Sequence, residues 1–157
     1  MIYPHRFEGE IDRFGVGRDR KVWYTVLFLS PALEPELPFD RYPHLRVEGE
    51  VADVPVSGAW IPTGDGRRYF ILSPKVLREA GLAVGDPAEM RFAVSDQSAV
   101  DMPPALIEAL GRNSRAHAAW SALTPGKQRG LAHRIHGART DETRAKRLTE
   151  VLAFLQP

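Results

Sequence analysis

Three stretches in the first half of the chain show the spacing of polar and apolar side chains that is typical of β-strands. In residues 7–13, apolar or small side chains alternate with acidic ones, which predicts a strand with one buried face. Residues 45–52 alternate in the same way. Residues 22–29 are apolar on both faces and rich in β-branched and aromatic side chains, which predicts a strand covered on both sides. Residues 30–44 hold four prolines and are expected to form an irregular connector.

Strand and turn signals continue through the next fifty residues. Residues 55–61 and 67–72 flank the Thr-Gly-Asp-Gly sequence at 63–66, whose glycines suit the positive φ of a hairpin turn. Residues 73–81 predict a short helix, because a serine can cap its start and a glycine can end it. An alternating strand follows at 90–94. The order strand, strand, connector, strand thus occurs twice, and six short strands in two related halves predict a small closed β-barrel.

The last third of the chain changes to helical spacing. Helices are predicted at 104–111, at 114–122 and from Thr124-Pro125 to about Gly137, and Thr140 is expected to cap a fourth. The fourth helix carries one apolar stripe, formed by Ala145, Leu148, Val151, Leu152 and Leu155. The sequence therefore predicts an α+β fold, with a β-barrel domain over residues 1–98 and a helical module over residues 99–157.

Composition and charge narrow the classes of function. The chain has 157 residues and no cysteine, which excludes disulfides, thiolate metal sites and cysteine nucleophiles. The N-terminal residues are charged, and no apolar run approaches the ~18 residues of a membrane helix, so we expect a soluble cytoplasmic protein without membrane insertion. Residues 1–98 carry a net charge of −3 and residues 99–157 a net charge of +4. A basic helical module can attract phosphates or other anions.

A family resemblance rests on the helical module. The segment TPGKQRGLAHRIHGARTDETRAKRLTEVL, residues 124–152, resembles the signature of the YdeI/OmpD-associated family, also called bacteriocin-protection proteins. The matching residues are Thr124-Pro125, Arg129, His133, Ile135, Ala138, Thr143-Arg144 and Arg147. The segment 64–86 is similar to a barrel domain of unknown function that is often fused before this module.

This resemblance implies more about fold than about chemistry. For the fold it implies a double-split β-barrel, distantly like that of AbrB and MazE, followed by helices. For function it implies a non-enzymatic accessory or stress-related protein, with no established chemistry that can be carried over to these residues. We expect no catalytic residue, no metal and no cofactor.

Basic side chains of the helical module are the leading candidates for a binding site. Arg144 and Arg147 lie three residues apart on one helix face, and Arg129 joins them if the last two helices pack antiparallel. Guanidinium groups bind phosphate or carboxylate through two parallel hydrogen bonds. We therefore expect Arg129, His133, Arg144 and Arg147 to contact an anionic small molecule or protein in the cleft between barrel and helices.

An alternative keeps these arginines internal to the protein. They would pair with acidic barrel residues such as Glu48, Glu50 or Asp53 and hold the two modules together. His133 and His136 also have the spacing of metal ligands on a helix, but no Asp, Glu or Cys nearby completes a site of three or four ligands.

Two further classes of function stay open. The likeness to AbrB suggests a DNA-binding regulator, with basic clusters at Arg67-Arg68 and at Arg18, Arg20 and Lys21, although the barrel as a whole is acidic. Tryptophans such as Trp23 are either core residues or surfaces that stack on bases. The other class is an enzyme acting on a small anionic metabolite. The sequence does not predict the oligomeric state.

Overall fold

The computed structural model describes residues 3–156, which divide into two compact units, one ending at Asp96 and the other beginning at Gln97. The strands are β1 (His5–Glu10), β2 (Asp12–Val16), β3 (Val22–Phe28), β4 (Leu45–Val51), β5 (Val54–Pro62), β6 (Arg68–Ile71) and β7 (Pro87–Val94). A 3-10 helix spans Pro31–Glu36, and the α-helices are α1 (Pro74–Ala80), α2 (Pro104–Gly111), α3 (Ser114–Ser121), α4 (Pro125–His136) and α5 (Asp141–Leu155). The protein is therefore α+β, as predicted.

The strands form one curled antiparallel sheet, a half-barrel with the order β1-β7-β4-β5-β6-β3-β2. The curl brings β1 against β3 across the interior, where a Cβ built on Gly9 would lie 3.3 Å from Leu27 Cδ2. Phe7, Trp60, Phe70 and Phe92 fill this interior, and the Trp60 ring lies 5.6–5.8 Å from the other three. The barrel-like prediction is confirmed at this level, and the double-split connectivity stays a prediction.

The described sheet has seven strands, where the sequence pattern predicted six. The segment 7–13, expected to be one strand, is divided at Ile11. The Ile11 N–H donates to Asp86 O at 2.8 Å, and the Ile11 carbonyl accepts from Gly85 N at 2.8 Å. Because Ile11 bonds to the loop before β7, β1 stays beside β7, while β2 begins on the opposite end of the sheet.

Strand β3 is covered on both sides only over its second half. Val26, Leu27 and the following Leu29 are buried, but Val22 and Trp23 are 55% and 54% exposed. The sequence predicted burial along the whole of 22–29. The difference arises because β6 pairs only with residues 26–28 of β3, so that the earlier residues have β2 as their paired strand.

Local turn and cap signals agree well with the structure. Gly64 and Gly66 adopt φ of 95° and 96° in the predicted hairpin, and Ser73 Oγ accepts from Val76 N at 3.2 Å at the start of α1. A two-residue turn between β4 and β5 was not predicted. Ala52 and Asp53 occupy it with φ of 47° and 66°, the positive values of a type I′ hairpin.

The four predicted helices of the C-terminal unit are present. Leu106, Trp120, Ile135 and Val151 belong to its own buried core. Ala145 is exposed, so the apolar stripe of α5 begins at Leu148. Among the residues that the structure describes, no helix is long and apolar enough to cross a membrane.

Candidate anion-binding site

Helices α4 and α5 carry the four candidate residues and are both capped by a threonine. Thr124 Oγ1 accepts from Lys127 N at 3.3 Å, and Pro125 occupies the first turn of α4. Thr140 Oγ1 accepts from Thr143 N at 3.1 Å, which fixes the start of α5. The four-residue connection between these helices, residues 137–140, forms what we call the α4–α5 turn.

Arg147 reaches from α5 back to the last turn of α4. Its Nη1 donates to the carbonyl of Arg134 at 2.9 Å. The last four carbonyls of a helix lack partners within the helix, so a guanidinium placed there satisfies one of them. Among the described residues, the Nε and Nη2 atoms of Arg147 have no hydrogen-bond partner. This pair of donors forms one of the edges with which arginine binds a carboxylate or phosphate.

Arg144 lies at the same turn and has two partners. Its Nη1 donates to Asp141 Oδ1 at 2.7 Å, and its Nη2 donates to the carbonyl of Ala138 at 3.1 Å. Asp141 is fully exposed, whereas the Arg144 side chain keeps 39% of its exposure. The carboxylate of Asp141 is thus an anion that the α4–α5 turn already binds from within the chain.

Arg129 and His133 lie one helical turn apart in the middle of α4. Arg129 is half-buried, and its Nη1 donates to the carbonyls of Gln97 at 2.8 Å and Ala99 at 3.2 Å. These bonds attach α4 to the first residues of the helical unit. His133 is exposed. The structure therefore brings Arg144 and Arg147 together at the α4–α5 turn and places Arg129 beside the segment 97–99.

The second histidine of the candidate metal pair has a different neighbour. His136 Nε2 lies 3.1 Å from the carbonyl of Asp101 and 3.6 Å from its carboxylate. Within residues 3–156, no group of three or more His, Cys, Asp or Glu side chains is placed to hold a metal ion.

The helical unit contains a groove that was not predicted from the sequence. It has a volume of about 620 Å³, and Met102, Ile107, Leu110 and Trp120 provide its apolar lining. Ile107 is 55% exposed although it is a large aliphatic residue. The available signal was the composition of α2, whose sequence PALIEALG is apolar on more than one face.

The predicted basic pair on the barrel has partners within the barrel. Arg67 donates to Asp65 through Nη2 at 3.0 Å and lies 4.4 Å from the centre of the Phe28 ring. Arg68 donates to Glu34 at 2.7 Å and lies 3.7 Å from the centre of the Phe39 ring. Hydrogen bonds from Arg67 and Thr63 hold the pKa of Asp65 well below its usual value. These contacts give both arginines a role in stabilising the barrel.

Acidic side chains meet at the turn between β4 and β5. Glu50, Asp53, Glu89 and Arg91 line a shallow pocket of about 240 Å³. A hydrogen bond from Arg91, with the nearby charge of Arg6, lowers the pKa of Glu89. Glu50 and Asp53 are two of the three residues that the sequence analysis offered as barrel partners for the helical arginines.

Comparison with known families bears on the helical unit. Residues 99–156 match the family model described as Bacteriocin-protection, YdeI or OmpD-Associated. This confirms the family resemblance for the helical part of the chain. The match does not extend to the barrel, so the likeness of the barrel to AbrB and MazE stays a prediction. The comparison with curated proteins found no match to the chain.

Proposed function

We propose that this chain is a non-enzymatic accessory protein of the YdeI/OmpD-associated type, and that its helical unit binds an anionic partner at the α4–α5 turn. The family match over residues 99–156 supports the first part. The observation that carries the second part is the state of Arg147. Its guanidinium is held by the Arg134 carbonyl at 2.9 Å, while its Nε–Nη2 edge has no partner among the described residues.

A guanidinium held in this way has a fixed orientation before any ligand binds. An arginine loses side-chain entropy when it binds a ligand, and a group that is already fixed loses less. The planar fork of arginine also matches the two oxygens of a carboxylate or a phosphate. The partner group is therefore a carboxylate or a phosphate, on a small molecule or on a protein.

The charges around the α4–α5 turn also favour a negatively charged ligand. Arg139 is exposed within the turn, and Arg144 of α5 bonds to the Ala138 carbonyl there. Asp141 and Glu142 oppose them from the first turn of α5, but Asp141 is already bonded to Arg144. The remaining excess of positive charge favours an incoming anion. His133 and Arg129 extend the basic surface along α4.

Isothermal titration with two probes tests this proposal. Pyrophosphate represents phosphate ligands, and a hexaglutamate peptide represents carboxylate ligands on a protein. The Arg147→Ala variant should bind the better probe about tenfold more weakly, because a charge-assisted hydrogen bond contributes about 1.5–3 kcal/mol. Arg147→Lys keeps the charge but loses the planar fork of the guanidinium. Its affinity should lie between those of the unmodified protein and Arg147→Ala. Lys146→Ala is the matched control and should bind nearly as well as the unmodified protein.

The same variants can overturn the proposal. If Arg147→Ala lowers the melting temperature but leaves the affinity for both probes unchanged, this arginine only holds the end of α4. If Lys146→Ala weakens binding as much as Arg147→Ala, the attraction is diffuse charge and there is no site at the turn. Circular dichroism of each variant confirms that it is folded before titration.

The biological setting is part of the proposal as well. The family name, Bacteriocin-protection, supports a role in tolerance of antimicrobial proteins or peptides, exercised from the cytoplasm. Cells lacking this chain should be more sensitive to a bacteriocin than cells expressing it. Expression of Arg147→Ala should fail to restore tolerance, while Lys146→Ala should restore it. If both variants restore tolerance equally, any protective role does not depend on the α4–α5 turn.

A further inference from the structure

We propose that the β2–β3 hairpin, residues 12–28, binds single-stranded nucleic acid, with Trp23 stacking on a base and the cations around it contacting phosphates. This surface belongs to the barrel unit, and the proposal does not depend on the anion site at the α4–α5 turn.

The hairpin carries four cations that form no ion pair with any described residue. They are Arg13, Arg18, Arg20 and Lys21, and they oppose two acidic residues, Asp12 and Asp19. All four are exposed. Some other arginines of the barrel are bonded to carboxylates, for example Arg67 to Asp65 and Arg91 to Glu89. Unpaired cations are the ones able to replace the counterions of a phosphate backbone.

Trp23 is the exposed indole of the described chain. It is 54% exposed, whereas Trp60 and Trp120 are buried. A Cβ built on Gly15 would lie 3.2 Å from both Cδ2 and Cε2 of Trp23, so one face of the indole rests on the backbone of β2. The absence of a side chain at Gly15 makes this flat arrangement possible. With 54% of Trp23 exposed, part of the indole is left to solvent, as base stacking requires.

Two of the four cations lie on the same face of the hairpin as the indole. The guanidinium of Arg13 is 5.2 Å from the centre of the Trp23 ring, and Lys21 Nζ is 5.8 Å from it. Gly15 pairs with Trp23 across the strands, and Arg13 lies two residues before Gly15, on the same side of β2. An aromatic platform flanked by cations combines stacking with backbone contact, the combination found in single-strand binding proteins.

The chemistry favours a single strand over a duplex. Bases within a duplex are already stacked on each other, whereas unpaired bases can stack on an aromatic side chain. An indole lying flat on a strand offers a surface for one unpaired base.

A membrane surface fits this hairpin less well. Val16 and Val22 are exposed and pair with each other, but they lie behind the turn at Gly17–Arg20. That turn contains Arg18, Asp19 and Arg20. Insertion of the tip would bring these charges toward hydrocarbon, which is unfavourable. The apolar pair also occupies the strand face opposite to Trp23, so the aliphatic and aromatic groups do not form one insertion surface.

Fluorescence anisotropy of labelled oligonucleotides tests the proposal with the full chain. The probes are a dT oligonucleotide and an A-rich RNA of about 12 nucleotides, within the usual site size, with a matched duplex for comparison. Trp23→Ala should weaken single-strand binding by at least about fivefold, and Trp23→Phe should retain most of the affinity. Arg18→Ala with Arg20→Ala should weaken binding and reduce its dependence on salt between roughly 50 and 200 mM. Lys75→Ala with Arg78→Ala removes the same charge from α1 and is the matched control.

A second readout reports on Trp23 directly. Stacking on a base should quench its fluorescence and protect it from iodide, and both effects should disappear in Trp23→Phe. Because Trp60 and Trp120 are buried, their contribution should not change when the oligonucleotide binds.

Four results would overturn the proposal. They are equal weakening by the Lys75 and Arg78 control, full affinity in Trp23→Ala, tighter binding to the duplex, and binding to vesicles containing phosphatidylglycerol in place of oligonucleotides. Arg147→Ala should not affect binding here, so failure of this proposal and failure of the anion site can be told apart.

Discussion

The several donors of one guanidinium can serve separate roles, and Arg147 of the helical unit shows this best. One donor of its guanidinium bonds to the Arg134 carbonyl in the last turn of α4, while its Nε–Nη2 edge has no partner among the described residues. Arg144 divides its donors between Asp141 and the carbonyl of Ala138. Under the proposed function, structural and binding roles are combined in one residue, and substitution of either arginine should affect stability and affinity together.

Gly49 is the residue whose side chain is most strictly limited by packing. A Cβ at this position would lie 1.9 Å from the carbonyl oxygen of Arg91 and 2.7 Å from the Cα of Phe92. Backbone atoms of β7 cannot move aside to relieve this clash, as the flexible end of a side chain can. We expect Gly49→Ala to destabilise the protein by about 3 kcal/mol, the upper part of the range for overpacking, in chemical denaturation.

Gly130 provides the control for this substitution. It lies inside α4, and a Cβ built on it meets no atom within 4 Å. Gly130→Ala should therefore stabilise the protein by about 0.5–1 kcal/mol, because alanine loses less backbone entropy in a helix. If both substitutions change the free energy of unfolding equally, the close approach of β4 to β7 at Gly49 is contradicted.

The pH dependence of stability should depend in part on Asp65. Hydrogen bonds from Arg67 and Thr63 favour its charged form and lower its pKa in the folded protein below the ordinary value of 3.8. The stabilisation is complete above that ordinary value and is lost as pH falls below it. Because the carboxylate is exposed, the effect is small, at most about 2–3 °C in melting temperature.

Melting curves of Asp65→Asn between pH 7 and pH 2.5 check this effect. The variant should be less stable than the unmodified protein at pH 7, and the difference should narrow as the solution becomes acidic. Asp19→Asn removes a carboxylate from the exposed β2–β3 turn and serves as the control. A difference between Asp65→Asn and the unmodified protein that stays constant across this range would contradict the assignment.

At the scale of elements, short-range signals were sufficient to predict most helices. Caps at Ser73, Thr124 and Thr140 each place a side-chain oxygen on an N–H three residues later, so the sequence contains the whole interaction. The division at Ile11 could not be predicted in this way. It depends on hydrogen bonds to Gly85 and Asp86, which are distant in sequence and adjacent only after folding.

The turn between β4 and β5 shows a second limit of prediction. Ala52 and Asp53 are not the Asn-Gly or Gly-Gly pair that usually marks a type I′ turn. The pairing of Val51 with Val54 forces positive φ on both residues, and so the long-range register of the sheet overrides the local preference.

Removal of the cap on α5 should destabilise the helical unit and disturb the α4–α5 turn. Thr140→Ala loses the bond to Thr143 N and should lower stability by about 1 kcal/mol in denaturant unfolding. It should also weaken pyrophosphate binding slightly, since α5 carries Arg144 and Arg147. Thr149→Ala, on an exposed position inside the same helix, should have little effect. Equal losses in both variants would argue against a role for the cap.

At the scale of the whole molecule, the two units differ in charge as well as in structure. The segments 1–98 and 99–157 carry net charges of −3 and +4, and this asymmetry was visible in the sequence. Clusters of basic residues that look alike in the sequence nevertheless have different roles. Arg67 and Arg68 are bonded to Asp65 and Glu34, whereas Arg18 and Arg20 form no ion pair with a described residue.

The candidate site could be predicted only in part from the sequence. Spacing along α5 was enough to place Arg144 and Arg147 on one face. The contacts of Arg129 with the carbonyls of Gln97 and Ala99 were not predictable, because backbone acceptors about thirty positions away leave no mark in the sequence.

The measurement that tests the central claim most directly is a titration of the ¹⁵N-labelled protein with pyrophosphate, followed through the Nε–H signals of its arginines. We expect the Arg147 signal to shift and saturate, together with backbone amides of the α4–α5 turn. The Arg67 and Arg68 signals, on groups bonded within the barrel, should stay in place. Saturating shifts confined to the barrel, or no shift at Arg147, would contradict an anion site at the α4–α5 turn.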